Sequence, residues 1–315
     1  MPALICGSLA FDTITVFPGR FAQQLLPEQL HILNVSFLVP ELRREFGGCA
    51  GNIAYSLAQL GGAPLVMAAT GPDGAEYIER IKGWGASTDL IKVVEGSYTA
   101  QAIIITDADN NQITAFHPGA MQSAHLTAVP QRADIAVAII APDGRDAMLQ
   151  HAEQLAQAKV PFIFDPGQGL PMFDGDELLA FIAQASWVAV NDYESQMLQD
   201  KTGRTLADLA REVQALIVTR GSEGSSIHSG GGVIDIPCAK PSQVIDPTGC
   251  GDAYRAGLVH GLMQGLAWET TGRMASLMGA IKIESRGTQN HRFTRDAFAR
   301  RYAEGFGETL DLATR

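Results

Sequence analysis

A glycine-rich turn around residue 250 combines a backbone suited to anions with a carboxylate. Residues 244–258 pass through Gly249 and Gly251 and continue into a segment of small and apolar residues that predicts a helix. Thr248 or Gly249 can cap this helix, and the glycines leave its first N–H groups uncovered. Because a helix N-terminus with free N–H groups carries a partial positive charge, the turn predicts a phosphate site.

Asp252 lies in the first turn of that predicted helix, where its carboxylate would repel a bound phosphate. A site that transfers a phosphate has a use for such a group, because it can accept the proton of an attacking hydroxyl. Alternatively, Asp252 caps the helix and interacts favourably with its positive end. The stretch alone leaves both interpretations open, a catalytic base and a helix cap.

Two glycine-rich stretches together resemble a known family. Residues 244–258 resemble the C-terminal signature of the PfkB (ribokinase-like) family of sugar and nucleoside kinases; the matching residues are Asp246, Thr248, Gly249, Gly251 and Asp252. Residues 47–61, GGCAGNIAYSLAQLG, resemble the family's N-terminal signature. The signatures stand in the family's order and far apart, and the resemblance covers nearly the whole chain. Cys250 departs from the family, which usually has alanine there.

The N-terminal part supplies candidate residues for binding the hydroxyls of a sugar. Asp12 follows the apolar run 3–6, which predicts a buried strand, and open α/β sheets bind ligands at the carboxyl ends of their strands. Asn52 lies in the first turn of a predicted helix, where its amide either points at a ligand or caps the helix. The resemblance implies that Asp12, Gly48 and Asn52 hold the substrate's hydroxyls.

Asn191 and Glu194 lie three residues apart, after a predicted strand and at the start of a predicted helix. They resemble the Asn-x-x-Glu motif with which the family organises Mg²⁺ and its waters beside the phosphates of ATP. Glu194 would then act on the metal through water, since Mg²⁺ keeps several of its waters in proteins. The same spacing is also that of a helix cap and its capping-box partner.

Residues 219–224, TRGSEG, follow another predicted strand and resemble the family's glycine loop beside the phosphates of ATP. Gly221 and Gly224 permit close approach of the backbone to a ligand, and Thr219 belongs to the same loop. Arg220 either pairs with a phosphate oxygen or is simply exposed. Without the resemblance, the segment is typical of an ordinary hairpin turn.

Residues 284–288 form a loop after a predicted helix over 275–283. In many relatives such a loop makes a monovalent-cation site with the residues that match Asp246 and Thr248. The resemblance therefore adds K⁺ to ATP and Mg²⁺ as an expected cofactor. Cys250 has two interpretations: a thiol at a helix N-terminus has a lowered pKa and reacts readily, or a small residue merely fits there.

Strands and helices are predicted to alternate through most of the chain, which favours a mostly parallel sheet covered on both faces. The resemblance implies the fold class: α/β, a single ribokinase-like three-layer αβα domain over residues 1–315. Two extended pairs interrupt the alternation and predict a small β-rich lid formed by insertions at about 13–46 and 98–118. The predicted lid strands cover residues 13–17, 36–39, 98–106 and 112–116, with a polar turn at 107–111.

The composition and net charge exclude some classes of binding partner. With 315 residues and a net charge of −11, the chain lacks the basic footprint of a nucleic-acid binder. Four cysteines without CxxC spacing indicate free thiols in a reducing compartment. The N-terminus has no secretory leader and no apolar run approaches membrane-spanning length, so we expect a cytoplasmic protein without a membrane partner.

We expect an ATP-dependent kinase that phosphorylates the 5′-hydroxyl of a ribonucleoside, either adenosine or a broader range of purine nucleosides. Asp252 would be the base, and the amides of Gly249, Cys250 and Gly251 would stabilise the transferring group. A ribokinase- or fructokinase-type sugar kinase is the alternative. A non-catalytic nucleotide or sugar sensor is a third possibility, but a sensor has no need of a base at the anion loop.

The substrate preference depends on the predicted lid. Residues 112–121, QITAFHPGAM, resemble the bacterial and archaeal nucleoside-kinase branch of the family. Apolar lid residues, Phe116 among them, would stack on a flat base, or else they form the lid's own small core. The expected partners are the small-molecule substrate and ATP, and the resemblance is compatible with a homodimer formed through the lid.

Overall fold

The computed structural model describes residues 1–25, 31–32, 34–109 and 111–311. Its strands are β1 (Ala3–Cys6), β2 (Ala10–Val16), β3 (Glu41–Gly47), β4 (Pro64–Thr70), β5 (Ser87–Val93), β6 (Ala100–Thr106), β7 (Gln112–His117), β8 (Val137–Ile140), β9 (Phe162–Phe164), β10 (Trp187–Asn191), β11 (Ala215–Thr219), β12 (Ser225–Ser229) and β13 (Gly232–Ile236). Its α-helices are α1 (Cys49–Gln59), α2 (Ala75–Gly83), α3 (Arg145–Gln157), α4 (Gly175–Gln184), α5 (Asp192–Thr202), α6 (Leu206–Glu212), α7 (Cys250–Met263), α8 (Trp268–Ile283) and α9 (Arg295–Phe306).

The larger sheet of the described residues has nine strands in the order β13-β12-β11-β10-β9-β8-β1-β4-β5. Neighbouring strands from β11 to β5 pair in parallel, whereas β12 and β13 add an antiparallel edge. In β1, Ala3 and Ile5 face one hydrophobic core, and Leu4 and Cys6 face the other. Such strands need apolar residues at every position, which is why short apolar runs mark them in the sequence.

Helices cover both faces of this sheet. Ile53 of α1 and Leu258 of α7 pack in the same core as Ile5 of β1. Met148 of α3 and Phe181 of α4 pack in the core on the opposite face. This arrangement confirms the predicted three-layer αβα architecture with a mostly parallel sheet.

A second, small sheet has four strands in the order β3-β2-β6-β7. The central pair, β2 and β6, is parallel, and the outer pairs are antiparallel. The sheet is built from the two predicted insertions and leaves β7 exposed along its whole length. Residues 26–30 and 33 of the first insertion, and Asn110 of the predicted turn, lie outside the described residues.

The predicted strand at residues 36–39 is wrong, because the partner of β2 is the charged segment β3. The apolar side chain of Phe37 does not belong to a strand; its ring packs with those of Phe17 and Phe21. Leu38 is 83% exposed and belongs to no hydrophobic core. Pairing with β2 therefore decides where the strand lies, and the apolar pattern on which the prediction rested reflects a local aromatic cluster.

Several elements without a clear apolar pattern complete the structure. The edge strand β5 is only partly buried, β12 (SSIHS) is polar except at Ile227, and β13 (GVIDI) begins with glycine and contains Asp235. All four cysteines are free thiols, as predicted. Among the described residues, no helix combines the length and apolar character needed to cross a membrane.

Candidate active site

Three cavities follow one another along the carboxyl edge of the larger sheet. The large cavity, of about 560 Å³, extends under the small sheet and reaches Asp12 and Phe116. The outer cavity, of about 330 Å³, lies between Thr219 and α8. The middle cavity, of about 140 Å³, separates the two. Gly251 lines all three cavities and Asp252 lines two, so the turn predicted to bind phosphate stands where they meet.

The N-terminus of α7 offers unused hydrogen-bond donors to these cavities. Gly249 is the N-cap, with a left-handed φ of 79°. The N–H groups of Gly249, Gly251 and Asp252 donate no hydrogen bond to any described residue, whereas that of Cys250 donates to Pro247 O over 3.2 Å. A Cβ on Gly251 would meet nothing within 4 Å, so its backbone faces open space. The geometry is that of an anion site.

Asp252 lies just inside this anion site and is tied to α1. Asn52 Nδ2 donates a hydrogen bond of 2.8 Å to Asp252 Oδ2. Burial raises the pKa of Asp252 to about 7; the Asn52 hydrogen bond opposes the shift and the nearby Asp165 adds to it. Because the N-cap is Gly249, Asp252 does not cap the helix. A carboxylate that titrates near neutral pH is suited to accept a proton.

The four residues predicted to bind the substrate line the large cavity together: Asp12, Gly48, Asn52 and Phe116. Gly48 must be glycine, because its φ is 84° and a Cβ there would lie 2.6 Å from Ser8 O. Burial raises the pKa of Asp12 to about 6, and Glu45 and Asp246 add to the shift. The ring of Phe116 extends from β7 and is 53% exposed.

A buried hydrogen-bond network that leaves no pattern in the sequence orients Asn52. Gln289 Nε2 donates to Asn52 Oδ1 over 3.0 Å and also contacts the Tyr77 hydroxyl. That hydroxyl donates to Gly47 O over 2.7 Å. Asn52 is therefore held with its Nδ2 directed at Asp252. Gln289 lies in an irregular segment and Tyr77 on an ordinary amphipathic helix, so neither stood out.

The middle cavity contains charged groups that are paired with one another. Arg255 of α7 donates to Asp165 Oδ1 over 3.1 Å and lies 4.0 Å from Glu194 Oε2. Burial raises the pKa of Glu194, and the neighbouring Asp165 adds to the shift. Asp165 and Arg255 were missed in the sequence. Asp165 had a usable signal, since it directly follows the strand β9.

Asn191 and Glu194 line the middle cavity and also form a capping box. Asn191 Oδ1 accepts from Glu194 N over 2.7 Å, and Asn191 N donates to Glu194 Oε2 over 2.8 Å. The helix-cap interpretation therefore describes the geometry correctly. It does not compete with a role at the cavity, because the cap fixes both side chains at the cavity wall.

Only part of the loop at 219–224 faces a cavity. Thr219, Gly221 and Gly224 line the outer cavity. Gly224 has a φ of 86°, and a Cβ there would lie 2.1 Å from a backbone oxygen, so this turn requires glycine. The side chain of Arg220 pairs with Asp235 at 3.2 Å, and Arg220 does not line any of the three cavities.

Cys250 lines the outer cavity, and of its two interpretations the structure favours the small residue that fits the turn over the reactive thiol. Burial raises the pKa of the thiol to about 11. The positive charge of Lys282 opposes this shift, while Asp246 and Asp252 reinforce it. Burial thus outweighs the helix N-terminus, and the alternative of a small residue that fits the turn stands.

Asp246 joins the turn to the loop at 284–288. Its Oδ1 accepts from Thr248 N over 3.0 Å, and its Oδ2 accepts from Gly287 N over 2.8 Å. These hydrogen bonds lower the pKa of Asp246 against the effect of burial. Thr248 itself is exposed at the rim of the large cavity. The two segments expected to form a cation site are therefore in contact.

A cradle of free amides, a carboxylate at their edge and a cavity on either side define an enzyme that transfers a phosphoryl group to a hydroxyl. Residues 21–294 match the pfkB family carbohydrate kinase. The chain belongs to this family.

The relatives include nucleoside kinases. The chain is 32% identical over 270 residues to a nucleoside kinase from Methanocaldococcus jannaschii, covering 85% of this chain and 89% of the relative. It is 51% identical to the Burkholderia thailandensis nucleoside kinase solved in complex with inosine, with a TM-score of 0.89 and coverage of 98% and 99%. A Bacillus subtilis ribokinase is 23% identical over 256 residues, covering 79% of this chain and 85% of the relative.

Proposed function

We propose that this protein is an ATP-dependent nucleoside kinase that phosphorylates the 5′-hydroxyl of purine ribonucleosides. The observation that carries the proposal is the position of Asp252 beside free amides, between the large and middle cavities. The Burkholderia thailandensis enzyme has been solved with inosine and with ADP-inosine, which supports the same substrates here. Identity is also higher to nucleoside kinases than to ribokinase.

The large cavity suits a nucleoside better than a monosaccharide. Asp12, Gly48 and Asn52 provide the polar wall that would hold the ribose hydroxyls. Ala102 and Phe116 line the same cavity from the small sheet and add an apolar surface for a flat base. A compact sugar would leave this surface uncovered. The small sheet would then act as a lid, within a single kinase domain of residues 1–315.

ATP would occupy the other two cavities. The outer cavity is walled by small and apolar side chains around Thr219, Gly221 and Gly224, which suits an adenine ring. The phosphates would extend through the middle cavity toward α7. The N–H groups of Gly249, Gly251 and Asp252 would receive the transferring group, and the Cys250 amide is already bonded to Pro247.

Asp252 would act as the base. Its carboxylate accepts the proton of the 5′-hydroxyl while that oxygen forms a bond to the γ-phosphorus and the bond to the leaving ADP breaks. Asn52 holds the carboxylate in place through the 2.8 Å hydrogen bond. The free amides stabilise the charge on the phosphoryl oxygens, and little covalent work remains for the protein.

Magnesium fits the residues of the middle cavity. The described residues contain no group of three or more His, Cys, Asp or Glu side chains that could hold a metal ion by themselves. Mg²⁺ at a phosphate site needs no such cage, because it retains waters and binds phosphate oxygens. Asn191 and Glu194 would hold its waters, and the ion would neutralise phosphate charge when bound.

Truncating the proposed stacking ring should weaken nucleoside binding. Phe116→Ala should raise KM for inosine by about 5- to 150-fold, since a stacked base contributes roughly 1–3 kcal/mol. KM for ATP should stay unchanged. Tyr98→Ala removes another exposed aromatic ring outside the three cavities and serves as the control. Equal KM values for inosine in both variants would remove Phe116 from the site.

We also propose that a second copy of the chain covers the small sheet. Ile103 of β6 and Ile113 of β7 are 44% and 40% exposed, and Leu42 of β3 is 68% exposed. Ile103→Asp should convert a dimer to a monomer in sedimentation velocity, because the charge would be desolvated at the interface. Val233→Asp places the same charge on the exposed strand β13 and should leave the dimer intact. A monomeric wild type would contradict the proposal.

The compartment that this proposal requires is the cytoplasm, where ATP and nucleosides are available and where the four free thiols would remain reduced.

The test of the proposed function is a comparison of kcat/KM across acceptors, with ATP consumption as the readout. Inosine, adenosine and guanosine should each exceed ribose and fructose. If ribose or fructose equals or exceeds the nucleosides, the sugar-kinase alternative is correct. If none of these acceptors drives ATP consumption, the proposed function is wrong, and binding of inosine and ATP without turnover would indicate a sensor.

A further inference from the structure

Lys282 lies where the resemblance places a monovalent cation. Its side chain comes from the last turn of α8 and is completely buried. The ammonium donates to Asp246 O over 2.7 Å and to Ser285 O over 3.1 Å. One carbonyl belongs to the turn before α7 and the other to the loop at 284–288. A fixed positive charge thus already joins the two segments.

The surrounding oxygens leave a K⁺ ion few free ligands. Both carboxylate oxygens of Asp246 accept backbone N–H groups, from Thr248 and Gly287. Ile283 O accepts from the N–H groups of Ile245 and Asp246. With the Asp246 and Ser285 carbonyls bonded to the ammonium, these residues do not fit a bound K⁺.

We propose that Lys282 is the built-in cation of this site, replacing a monovalent metal ion and holding the anion-binding turn in its active geometry. The enzyme then works without K⁺. The inference deepens the proposed kinase function and rests on it where activity is measured.

The contact between this loop and the anion site explains why the position of Lys282 matters for phosphoryl transfer. A Cβ on Gly249, the N-cap of α7, would lie 3.0 Å from the Thr288 side chain, so loop and cap are in close contact. Thr288 Oγ1 is itself fixed by donating to Phe46 O over 2.6 Å. A shift of the loop would therefore displace the Gly249 amide. Lys282 is a positioning residue, since it touches no cavity that would hold substrate.

The first experiment replaces K⁺ by tetramethylammonium at constant ionic strength. Wild-type kcat for inosine phosphorylation and the Tm of the free enzyme should both stay constant. Lys282→Met keeps the length of the side chain and removes its charge. This variant should lose about tenfold in kcat because the anion site is displaced. Added K⁺ or ammonium should restore kcat in part and raise the variant's Tm.

Lys201→Met is the matched control. Lys201 also donates to two backbone carbonyls, Pro171 O at 3.2 Å and Phe173 O at 2.6 Å, but neither belongs to the anion-binding turn. Its variant should show no response to K⁺ in kcat or in Tm. A response as large as that of Lys282→Met would overturn the proposal, because the cation effect would then be unspecific.

Activation of the wild type by K⁺ would overturn the proposal on its own, even if Lys282→Met fails to fold. Full activity of Lys282→Met without K⁺ would also overturn it. The Tm measurements need no substrate. A cation-dependent Tm in Lys282→Met, with a constant Tm in the wild type, would therefore support the built-in cation even if the nucleoside assignment failed.

Discussion

Asp252→Asn should lower kcat by about 10²–10⁴-fold while the protein keeps its fold and binds inosine and ATP. The carboxamide has the shape of the carboxylate but cannot accept the proton of the 5′-hydroxyl. Asn52 is close enough to contact either group, since it lies 2.8 Å from Oδ2. The loss should therefore appear in kcat, with KM and Kd nearly unchanged.

The thermal stability of Asp252→Asn distinguishes two roles of Asp252: a catalytic base and a charge that stabilises the helix. Burial raises the pKa of Asp252 to about 7, so the folded state binds protons more tightly there than the unfolded state does. Stability should therefore fall as pH rises from the ordinary carboxyl value of 3.8 to about 7 and stay constant above it, and Asn should leave Tm unchanged or raise it at about pH 8. Asp174→Asn, at the capping box of α4, is the control and should keep kcat. Near-normal kcat in Asp252→Asn would rule out the base.

The pH dependence of kcat/KM of the wild-type enzyme should show the titration of Asp252. Since only the ionised carboxylate accepts a proton, kcat/KM for inosine should be constant above about pH 7 and fall about tenfold per unit below it. Protonation of Asp12, whose pKa is raised to about 6, should make the fall steeper below that value. The measurement is a rate profile at constant ionic strength with saturating ATP and Mg²⁺.

Asp12→Asn gives the control for this profile. The variant should bind nucleosides more weakly at every pH, because it lacks the carboxylate that would accept a ribose hydroxyl. Its profile should lose the lower inflection and keep the one near pH 7. A wild-type profile that is flat down to pH 5 would contradict the raised pKa of Asp252.

The glycine-rich stretches made the site predictable because they constrain the backbone locally. Gly48 and Gly249 adopt positive φ values, and Gly251 leaves open space, so their spacing shows where the chain must approach a ligand. Asp252 could be found because it lies in the same turn. The alternation of predicted strands and helices likewise indicated a mostly parallel sheet with helices on both faces.

Residues that act through long-range contacts could not be found in this way. Gln289 and Asn52 are 237 positions apart, and Arg255 and Asp165 are 90 apart, so no local pattern links them. In the sequence, nothing distinguishes Lys282 from any other lysine in the last turn of a helix. Its role depends on two carbonyls of other segments, whose positions leave no trace in residue types.

In the proposed reaction, the γ-phosphoryl group of ATP moves to the 5′-hydroxyl of a purine nucleoside. Phosphorus–proton NMR of a reaction with inosine and ATP tests this most directly, because it identifies the carbon that carries the new phosphate. We expect a phosphate coupled to the two C5′ protons, formed in equal amount to ADP and at least about a hundredfold more slowly with Asp252→Asn. A phosphate on C2′ or C3′, or free inorganic phosphate as the only product, would contradict it.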